Sequence, residues 1–254
     1  MTAEKSLILV VTGLQREADI ASGQGVTTLC SGGRPVLLRE RLMNLHPARL
    51  HEGRDPAQKD WLPAFAGMSG GRIGGILSFG LAGGLAPGLK PGDIVLATHV
   101  RAGDAHHDVT LDWHDAMASK LEGAVRLHRG LIAGMDRVLT KSADKVALHS
   151  ISNALAVDME SHIAAAFARE HGLPFASLRA ISDPATRCLP GLASDALTPD
   201  GNVAPSKVIG GLLRRPGQLP ALIAAGIDSE RAFASLRRCR RLLGPLFGFR
   251  GADL

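Results

Sequence analysis

Short aliphatic runs that lack polar alternation and end at glycine are the feature that most constrains the fold of this chain. Residues 7–11 form such a run before Thr12-Gly13, and residues 73–79 form another, which ends at Gly80. A strand with one solvated face alternates apolar and polar side chains, whereas a strand buried on both faces does not. Further strand candidates of this kind are residues 26–30, 93–100, 131–133, 155–157 and 175–181. Together these runs predict a sheet that is covered on both faces.

One segment between the strand candidates has the pattern of a helix that would cover such a sheet. Over residues 159–171, Ile163 and Phe167 lie on one apolar stripe, and Gly172 followed by Pro174 ends the pattern. Strands interleaved with helices are typical of α/β folds. With 254 residues, 45% of them hydrophobic, the chain suits one large domain with a substantial core.

The positive charge of the chain is concentrated near its end. The formal net charge of +5 is compatible with a nucleic-acid or anionic-membrane partner. Residues 205–254 hold 9 Lys/Arg and 3 Asp/Glu, a net of +6, whereas residues 1–204 hold 20 and 21, a net of −1. Because the basic segment is not rich in aromatic side chains, it lacks the usual stacking surface for nucleic acid, and we expect no such partner.

Cysteine usage and hydropathy predict a cytoplasmic protein. Cys30, Cys188 and Cys239 lie far apart with no CxxC spacing, which supports neither a disulfide framework nor a zinc ribbon. The apolar run at residues 7–11 is too short for a signal-peptide core. The weakly polar stretch at residues 73–87 is too short and too rich in glycine to cross a membrane.

Residues 46–71 fit neither the helical nor the strand period. The segment is rich in proline, glycine and mixed charge, which is typical of a long surface loop. It also resembles peptides translated from palindromic genomic repeats that are inserted into bacterial genes. A surface loop and an inserted segment both remain open, and in either case we expect no catalytic residue there.

Three acidic residues and a glycine-rich loop follow strand candidates. Glu17 comes shortly after the first candidate strand, residues 80–84 follow the third, Glu160 follows residues 155–157, and Asp183 closes residues 175–181. In open α/β sheets, ligands bind at the carboxyl ends of the strands. The sequence therefore predicts that these acids and the glycine loop meet at one edge of the sheet.

The spacing of these motifs resembles that of a known superfamily. The motifs are SFGLAGGLAP at residues 78–87, KPGDIV at 90–95, VDME at 157–160 and RAISD at 179–183. They are similar to those of the purine nucleoside phosphorylase/nucleosidase superfamily, above all its methylthioadenosine/S-adenosylhomocysteine nucleosidases. The resemblance implies a three-layer α/β/α phosphorylase-like fold with a central mixed sheet over residues 1–191. It also implies a homo-oligomer without metal or cofactor, with phosphate as an alternative co-substrate.

The same resemblance assigns roles to the residues of the predicted site. Asp183 matches the acid that protonates purine N7, and a carboxylic acid held partly out of water can keep such a proton near neutral pH. Glu160 matches the residue that binds the ribose hydroxyls and stabilises a cationic sugar. Ser182 is expected to orient Asp183. The remaining predicted substrate contacts are Met159 under the sugar, Ala82, Gly83 and Val138.

The reaction type depends on Glu17 and its neighbours. Glu17 aligns with the general base that activates water in the nucleosidases, whereas related phosphorylases place an arginine near this position to hold phosphate. Arg16 and Gly13 are accordingly predicted to line a phosphate or water site, so both reactions stay open. Repulsion between a glutamate and a dianionic phosphate favours hydrolysis.

At the predicted base and 5′ subsites, the residues of this chain differ from those of the family that it resembles. Val138 stands where the relatives often have a phenylalanine that packs on adenine, and Leu81 replaces a small polar residue of the glycine loop. The chain has no Tyr and only 4% aromatic residues, so an aliphatic pocket is expected. Such a pocket suits an apolar 5′ substituent on the nucleoside.

Residues 192–254 form a predicted basic, helical C-terminal extension. A helical pattern over residues 229–243 places Phe233, Leu236 and Leu243 on one side and several arginines elsewhere. One interpretation is an ordinary packed helix with a solvated basic face; the other is a helix lying on the inner membrane. With the VVTGL segment at residues 10–14, this tail resembles the hopanoid-associated branch, which implies adenosylhopane as the substrate.

The sequence favours neither a metal site nor a purely binding role. The residues His106, His107 and His114 lie near several aspartates, but adjacent histidines on a strand face opposite ways, so no metal site is expected. A non-enzymatic nucleoside-binding protein is the second interpretation, and the complete set of acids argues against it.

Overall fold

A computed structural model describes residues 7–45, 73–189 and 216–250. The strands are β1 Leu7–Thr12, β2 Val26–Cys30, β3 Ile73–Gly84, β4 Ile94–Ala102, β5 Ala105–Asp108, β6 Leu127–Gly134, β7 Ala156–Asp158 and β8 Phe175–Asp183. The helices are α1 Gln15–Ala21, α2 Pro35–Met43, α3 Leu111–Leu121, α4 Ser142–Ser152, α5 Ser161–Glu170 and α6 Leu219–Leu243, the last preceded by the 3-10 turn Pro216–Gln218. The loop or insertion predicted at residues 46–71 lies outside the described residues.

Each strand candidate of the sequence overlaps an observed strand, and β3 extends furthest beyond the C-terminal end of its candidate. The aliphatic run predicted a strand over residues 73–79, but β3 continues through the glycine loop to Gly84. The extra residues stay extended because they pair on both sides, with Gly83 opposite Val157 of β7 and opposite Asp183 of β8. The glycine-rich segment is therefore sheet rather than a turn.

The strands form one mixed, strongly curved sheet. Its order is β2-β1-β3-β7-β6-β4-β5, and β8 pairs with both β3 and β4. β3 pairs with β8 in parallel, β8 with β4 antiparallel, β4 with β6 in parallel, and β7 joins β6 to β3. These pairings close a ring of five strands, so the ends of β3, β7 and β8 face a common space.

Helices cover both faces of the sheet, as the sequence predicted. In β1, Leu9 and Val11 pack in one core with α2 and α5, whereas Ile8 and Val10 pack in another with α1, α3 and α6. All four side chains are fully buried, which explains why polar alternation is missing from this strand. The three-layer α/β/α architecture with a mixed sheet is confirmed.

The C-terminal helix is part of the main core. Residues 192–254 were predicted as a basic helical C-terminal extension, and in their described part α6 buries Phe233, Leu236 and Leu243 with side chains of β1, β3 and β8. Arg240 also points inward, donating to the carbonyl oxygen of Ala21. Within residues 216–250, the helix is thus a packed layer of the fold, and its apolar stripe is not free to enter a membrane. No described helix is both long and apolar enough to span one.

Candidate active site

A cavity of about 220 Å³ lies where the ends of β3, β7 and β8 meet. It also receives the loop after β1, which holds Gly13 and Leu14, and the segment after β6, which holds Val138 and Leu139. The predicted site residues that line it are Gly13, Glu17, Ala82, Gly83, Val138, Met159, Glu160, Ser182 and Asp183. Ring closure of the sheet therefore brings together acids that are up to 166 residues apart in sequence.

Glu17 is held in the cavity by backbone N–H groups. Its Oε2 accepts from the N–H groups of Gly13 at 2.7 Å and Leu14 at 2.8 Å, and its Oε1 accepts from Leu81 at 2.8 Å. Burial raises the pKa of Glu17, while the charge of Arg179 and these three donors lower it. The result is a fixed, buried carboxyl group that binds a proton more readily than an exposed glutamate does.

Glu160 lies beside a fully buried arginine. Its Oε1 accepts from the Ser31 hydroxyl at 3.0 Å, and its Oε2 lies 3.6 Å from the Arg179 guanidinium, which also pairs with Asp158. Burial raises the pKa of Glu160 to about 7 despite the charge of Arg179, with the Asp158 and Glu17 carboxylates adding to the rise. A single arginine thus supports three acidic groups in a water-poor site.

Asp183 ends β8 with both carboxyl oxygens hydrogen-bonded. The Ser182 hydroxyl donates to Oδ1 at 2.7 Å, which is the orienting contact that the sequence predicted. The Lys145 ammonium donates to Oδ2, and this lysine is completely buried. Asp183 therefore has a defined orientation at the cavity wall.

Three glycines leave the space that the three acids occupy. A Cβ atom at Gly80 would lie 2.6 Å from the Glu17 carboxyl carbon, and one at Gly13 would lie 3.0 Å from a Glu160 oxygen. At Gly83 the nearest atom to an added Cβ is an Asp183 oxygen, at 3.4 Å, which is ordinary contact. These glycines are thus explained by the side chains of other elements, most strictly at Gly80.

Arg16 is the one predicted site residue that the structure places elsewhere. Its guanidinium pairs with Glu230 of α6 and stacks over the Phe233 ring at 4.1 Å. Arg16 and Glu17 are consecutive on α1, so their side chains leave the helix about 100° apart and only one of them faces the cavity. The prediction that Arg16 lines a phosphate or water site is corrected on this ground.

Two residues of the site were given no role by the sequence analysis. Arg179 is fully buried in the middle of β8, and an arginine there requires buried acceptors. An arginine inside a predicted buried strand could therefore have been recognised from the sequence as a site residue. Lys145 could not have been recognised in this way, because a lysine on an amphipathic helix is ordinarily exposed.

A larger hollow of about 890 Å³ lies elsewhere on the protein. It is lined by Trp113, Phe249 and residues near Ile73, and it contains none of the predicted site residues. We assign no site to it. Within the described ranges, no group of three or more His, Cys, Asp or Glu side chains is arranged to hold a metal ion.

The sheet covered by helices on both faces and the buried acids at its edge define an α/β protein with one candidate active site in its described part. A sequence profile described as the phosphorylase superfamily matches residues 16–202. The chain therefore belongs to the phosphorylase superfamily. The comparison with curated protein sequences gives no match.

Several solved structures share the fold. The 5′-methylthioadenosine/S-adenosylhomocysteine nucleosidase of Neisseria meningitidis, in complex with methylthio-immucillin-A, has a TM-score of 0.61 at 17% identity, covering 92% of this chain and 96% of the other. The Helicobacter pylori enzyme of the same name has a TM-score of 0.58 at 17% identity, with 83% and 99% covered. Futalosine hydrolase of Helicobacter pylori has 0.58 at 15% identity, with 92% and 97% covered. At these identities the likeness shows the fold.

Proposed function

We propose that this protein hydrolyses the N-glycosidic bond of an adenine nucleoside and releases adenine. The observation that carries the proposal is the meeting of three buried carboxyl groups, those of Glu17, Glu160 and Asp183, in one cavity. The structural neighbours named above are nucleosidases and a hydrolase, and two of them hold nucleoside analogues, which supports the same chemistry here.

Asp183 is assigned the role of general acid toward the base. An adenine anion is a poor leaving group, so a proton must reach N7 as the bond from C1′ to N9 breaks. Asp183 lies at the end of β8 opposite Gly83, with its carboxyl group held by Ser182. The orientation of the carboxyl group is thereby fixed at the cavity wall, and transfer of a proton to N7 requires such a fixed orientation.

Glu160 and Met159 are assigned to the sugar. As the glycosidic bond breaks, positive charge develops on the ribose ring, and a nearby carboxylate stabilises it. Glu160 is positioned by Ser31 and Arg179, so its carboxyl group need not reorganise during the reaction. The Met159 side chain lines the same cavity and offers an apolar contact to the sugar ring.

The surroundings of Glu17 favour water over phosphate as the nucleophile. Backbone N–H groups of glycine-rich loops are common ligands for phosphate. Here the N–H groups of Gly13, Leu14 and Leu81 are already bonded to the Glu17 carboxyl group. The predicted phosphate contact Arg16 is paired with Glu230 instead. Glu17 is thus left to activate water as a general base.

The proposed substrate is adenosylhopane, cleaved to ribosyl-hopane in hopanoid biosynthesis. The proposal rests on the resemblance of the tail and of the VVTGL segment, and it agrees with the lining of the cavity. The described lining residues include Leu14, Leu81, Val138, Leu139 and Leu189 but no aromatic side chain. An aliphatic wall of this kind suits a triterpenoid substituent.

We also propose contact with an anionic membrane and assembly into a homo-oligomer. Because Phe233, Leu236 and Leu243 of α6 are buried, the contact would rest chiefly on charge, through the exposed Arg237, Arg238 and Arg241. Binding to anionic vesicles that weakens with salt and falls in a variant with these three arginines replaced by glutamine would support it. Light scattering would measure the oligomeric state.

A nucleoside panel tests the function itself. The purified protein is incubated with adenosylhopane, methylthioadenosine, S-adenosylhomocysteine and inosine, with and without phosphate, and free base is quantified by chromatography. We expect adenine release without phosphate, fastest from adenosylhopane, and none from inosine. Formation of ribose 1-phosphate that depends strictly on phosphate would overturn hydrolysis, and faster cleavage of methylthioadenosine would replace the proposed substrate.

A further inference from the structure

Lys145 is the one buried residue of α4, although it is the residue type least suited to burial. The helix leaves two of its apolar side chains exposed, Val146 at 52% and Ile151 at 79%, while the Lys145 side chain is 0% exposed. Burying an ammonium group is costly unless it is paired and hydrogen-bonded. Packing alone would have buried the apolar residues instead, so the position of Lys145 calls for a functional explanation.

The Lys145 ammonium group has three acceptors for its three N–H bonds. One is Oδ2 of Asp183, and the others are the carbonyl oxygens of Pro184 at 3.2 Å and Arg187 at 3.1 Å. The donor capacity of a lysine is thereby used completely. Lys145 joins the proposed acid to the segment that follows it in the chain.

That segment, residues 184–189, runs along the start of α4 and reaches the cavity. The Ser142 hydroxyl donates to the carbonyl oxygen of Ala185 at 2.7 Å, and the N–H of Leu189 donates to the carbonyl oxygen of Thr140 at 2.8 Å. Leu189 then lines the cavity. Lys145 lies at the centre of this contact and holds both the acid and one wall of the site.

We infer that Lys145 is a positioning residue that stabilises Asp183 as the carboxylate it becomes once its proton has passed to N7 of the base. In that step the O–H bond of Asp183 breaks, the N7–H bond forms, and the electrons of the C1′–N9 bond go to the base. Lys145 keeps all its protons. The inference rests on the proposed function, because it assumes an adenine base at Asp183.

The role of Lys145 can be measured through the binding of nucleoside analogues, without turnover. A carboxylate paired with Lys145 prefers a base that carries a hydrogen at the N7 position. 9-Deazaadenosine, an unreactive C-nucleoside, has that N–H, whereas 7-deazaadenosine has a C–H there. We expect the wild-type protein to bind 9-deazaadenosine more tightly, since an N–H bond to a charged acceptor is stronger than one to a neutral acceptor.

The test compares the ratio of the two dissociation constants in wild type and variants by calorimetry. Lys145→Met should reduce the preference for 9-deazaadenosine about tenfold, the difference between a charged and a neutral acceptor. Lys145→Arg, which keeps the charge, should retain most of it. Lys141→Met makes the same chemical change at an exposed position one turn earlier and should leave the ratio unchanged. If Lys145→Met does not fold, Lys145→Gln removes the charge while keeping N–H donors.

Two outcomes would overturn the inference, and they are distinguishable. If Lys145 serves packing alone, the Met variant weakens both ligands equally and the ratio stays at its wild-type value. If the wild-type protein binds neither analogue, the proposed function fails and the inference fails with it. The role of Lys145 is supported if the ratio of the two dissociation constants falls in both charge-removing variants and stays near the wild-type value in the Arg variant.

Discussion

Replacement of Gly80 by alanine tests the most closely packed contact in the site. The added Cβ would lie 2.6 Å from the Glu17 carboxyl carbon and 2.7 Å from each of its oxygens. Real side chains do not tolerate such distances, so the Glu17 carboxyl group must move. It cannot move freely, because three backbone N–H groups hold it.

The expected cost follows from those hydrogen bonds. The bond from Leu81 is the most exposed to the change, since Leu81 is the next residue after Gly80. Loss of one hydrogen bond to a charged group costs about 1.5–3 kcal/mol of unfolding free energy. For a domain of this size, each kcal/mol corresponds to about 2–4 °C in melting temperature. A displaced general base lowers kcat by about 10²–10⁴.

The assay is adenine release from the substrate found by the panel, with a thermal melt of the same samples. Gly226→Ala is the matched control, because nothing lies within 4 Å of a Cβ there and its position in α6 is helical. The control should keep both kcat and melting temperature. A Gly80→Ala variant with wild-type kcat and melting temperature would refute the placement of Glu17 as the base.

The remaining predictions concern the acids and Arg16. Asp183→Asn should lower the rate of adenine release by about 10²–10⁴ while binding of 7-deazaadenosine persists, and near-normal turnover would remove Asp183 from its role as acid. Burial raises the pKa of Glu160 from 4.5 in its ordinary setting to about 7, so the folded state holds an extra proton between these values. Stability relative to Glu160→Gln should therefore be greatest below pH 4.5 and fall as pH rises toward about 7, and a flat difference in melting temperature over that range would contradict the pKa shift. Arg16→Ala should leave kcat unchanged with and without phosphate, because Arg16 pairs with Glu230 and does not line the cavity. Its loss should also cost little stability, since an exposed ion pair contributes only about 0–1 kcal/mol. A loss of activity that depends on phosphate would restore Arg16 to the site.

The strands and the class of fold were predictable because their signal is local. Burial on both faces leaves β1 and β3 almost without polar residues, and that pattern is visible in the sequence without knowledge of any partner strand. The extent of β3 was not predictable in this way. Its final glycines are extended because β7 and β8 pair with them, and those strands lie more than 70 residues away in the chain.

The tail shows how a local pattern can leave two physical states open. Its apolar stripe and basic residues are compatible both with a packed helix and with one lying on a membrane. The stripe is buried in the core shared with β1, β3 and β8, and Arg240 caps the helix by donating to the carbonyl oxygen of Gly244. The arginines that remain exposed are the part that the sequence described correctly as a solvated basic face.

By itself, the sequence determined the α/β layers, and its motif spacing predicted that Glu17, Glu160 and Asp183 meet at one edge of the sheet, because strand burial and motif spacing are properties of the chain alone. Only the tertiary structure decided that Arg16 leaves the site, since its guanidinium pairs with Glu230 of α6, 214 residues away in the chain. It also decided that Arg179 and Lys145 support the acids, and that ring closure brings β3, β7 and β8 to one point. Charges are buried only where other elements supply their partners, and those partners are chosen by the fold.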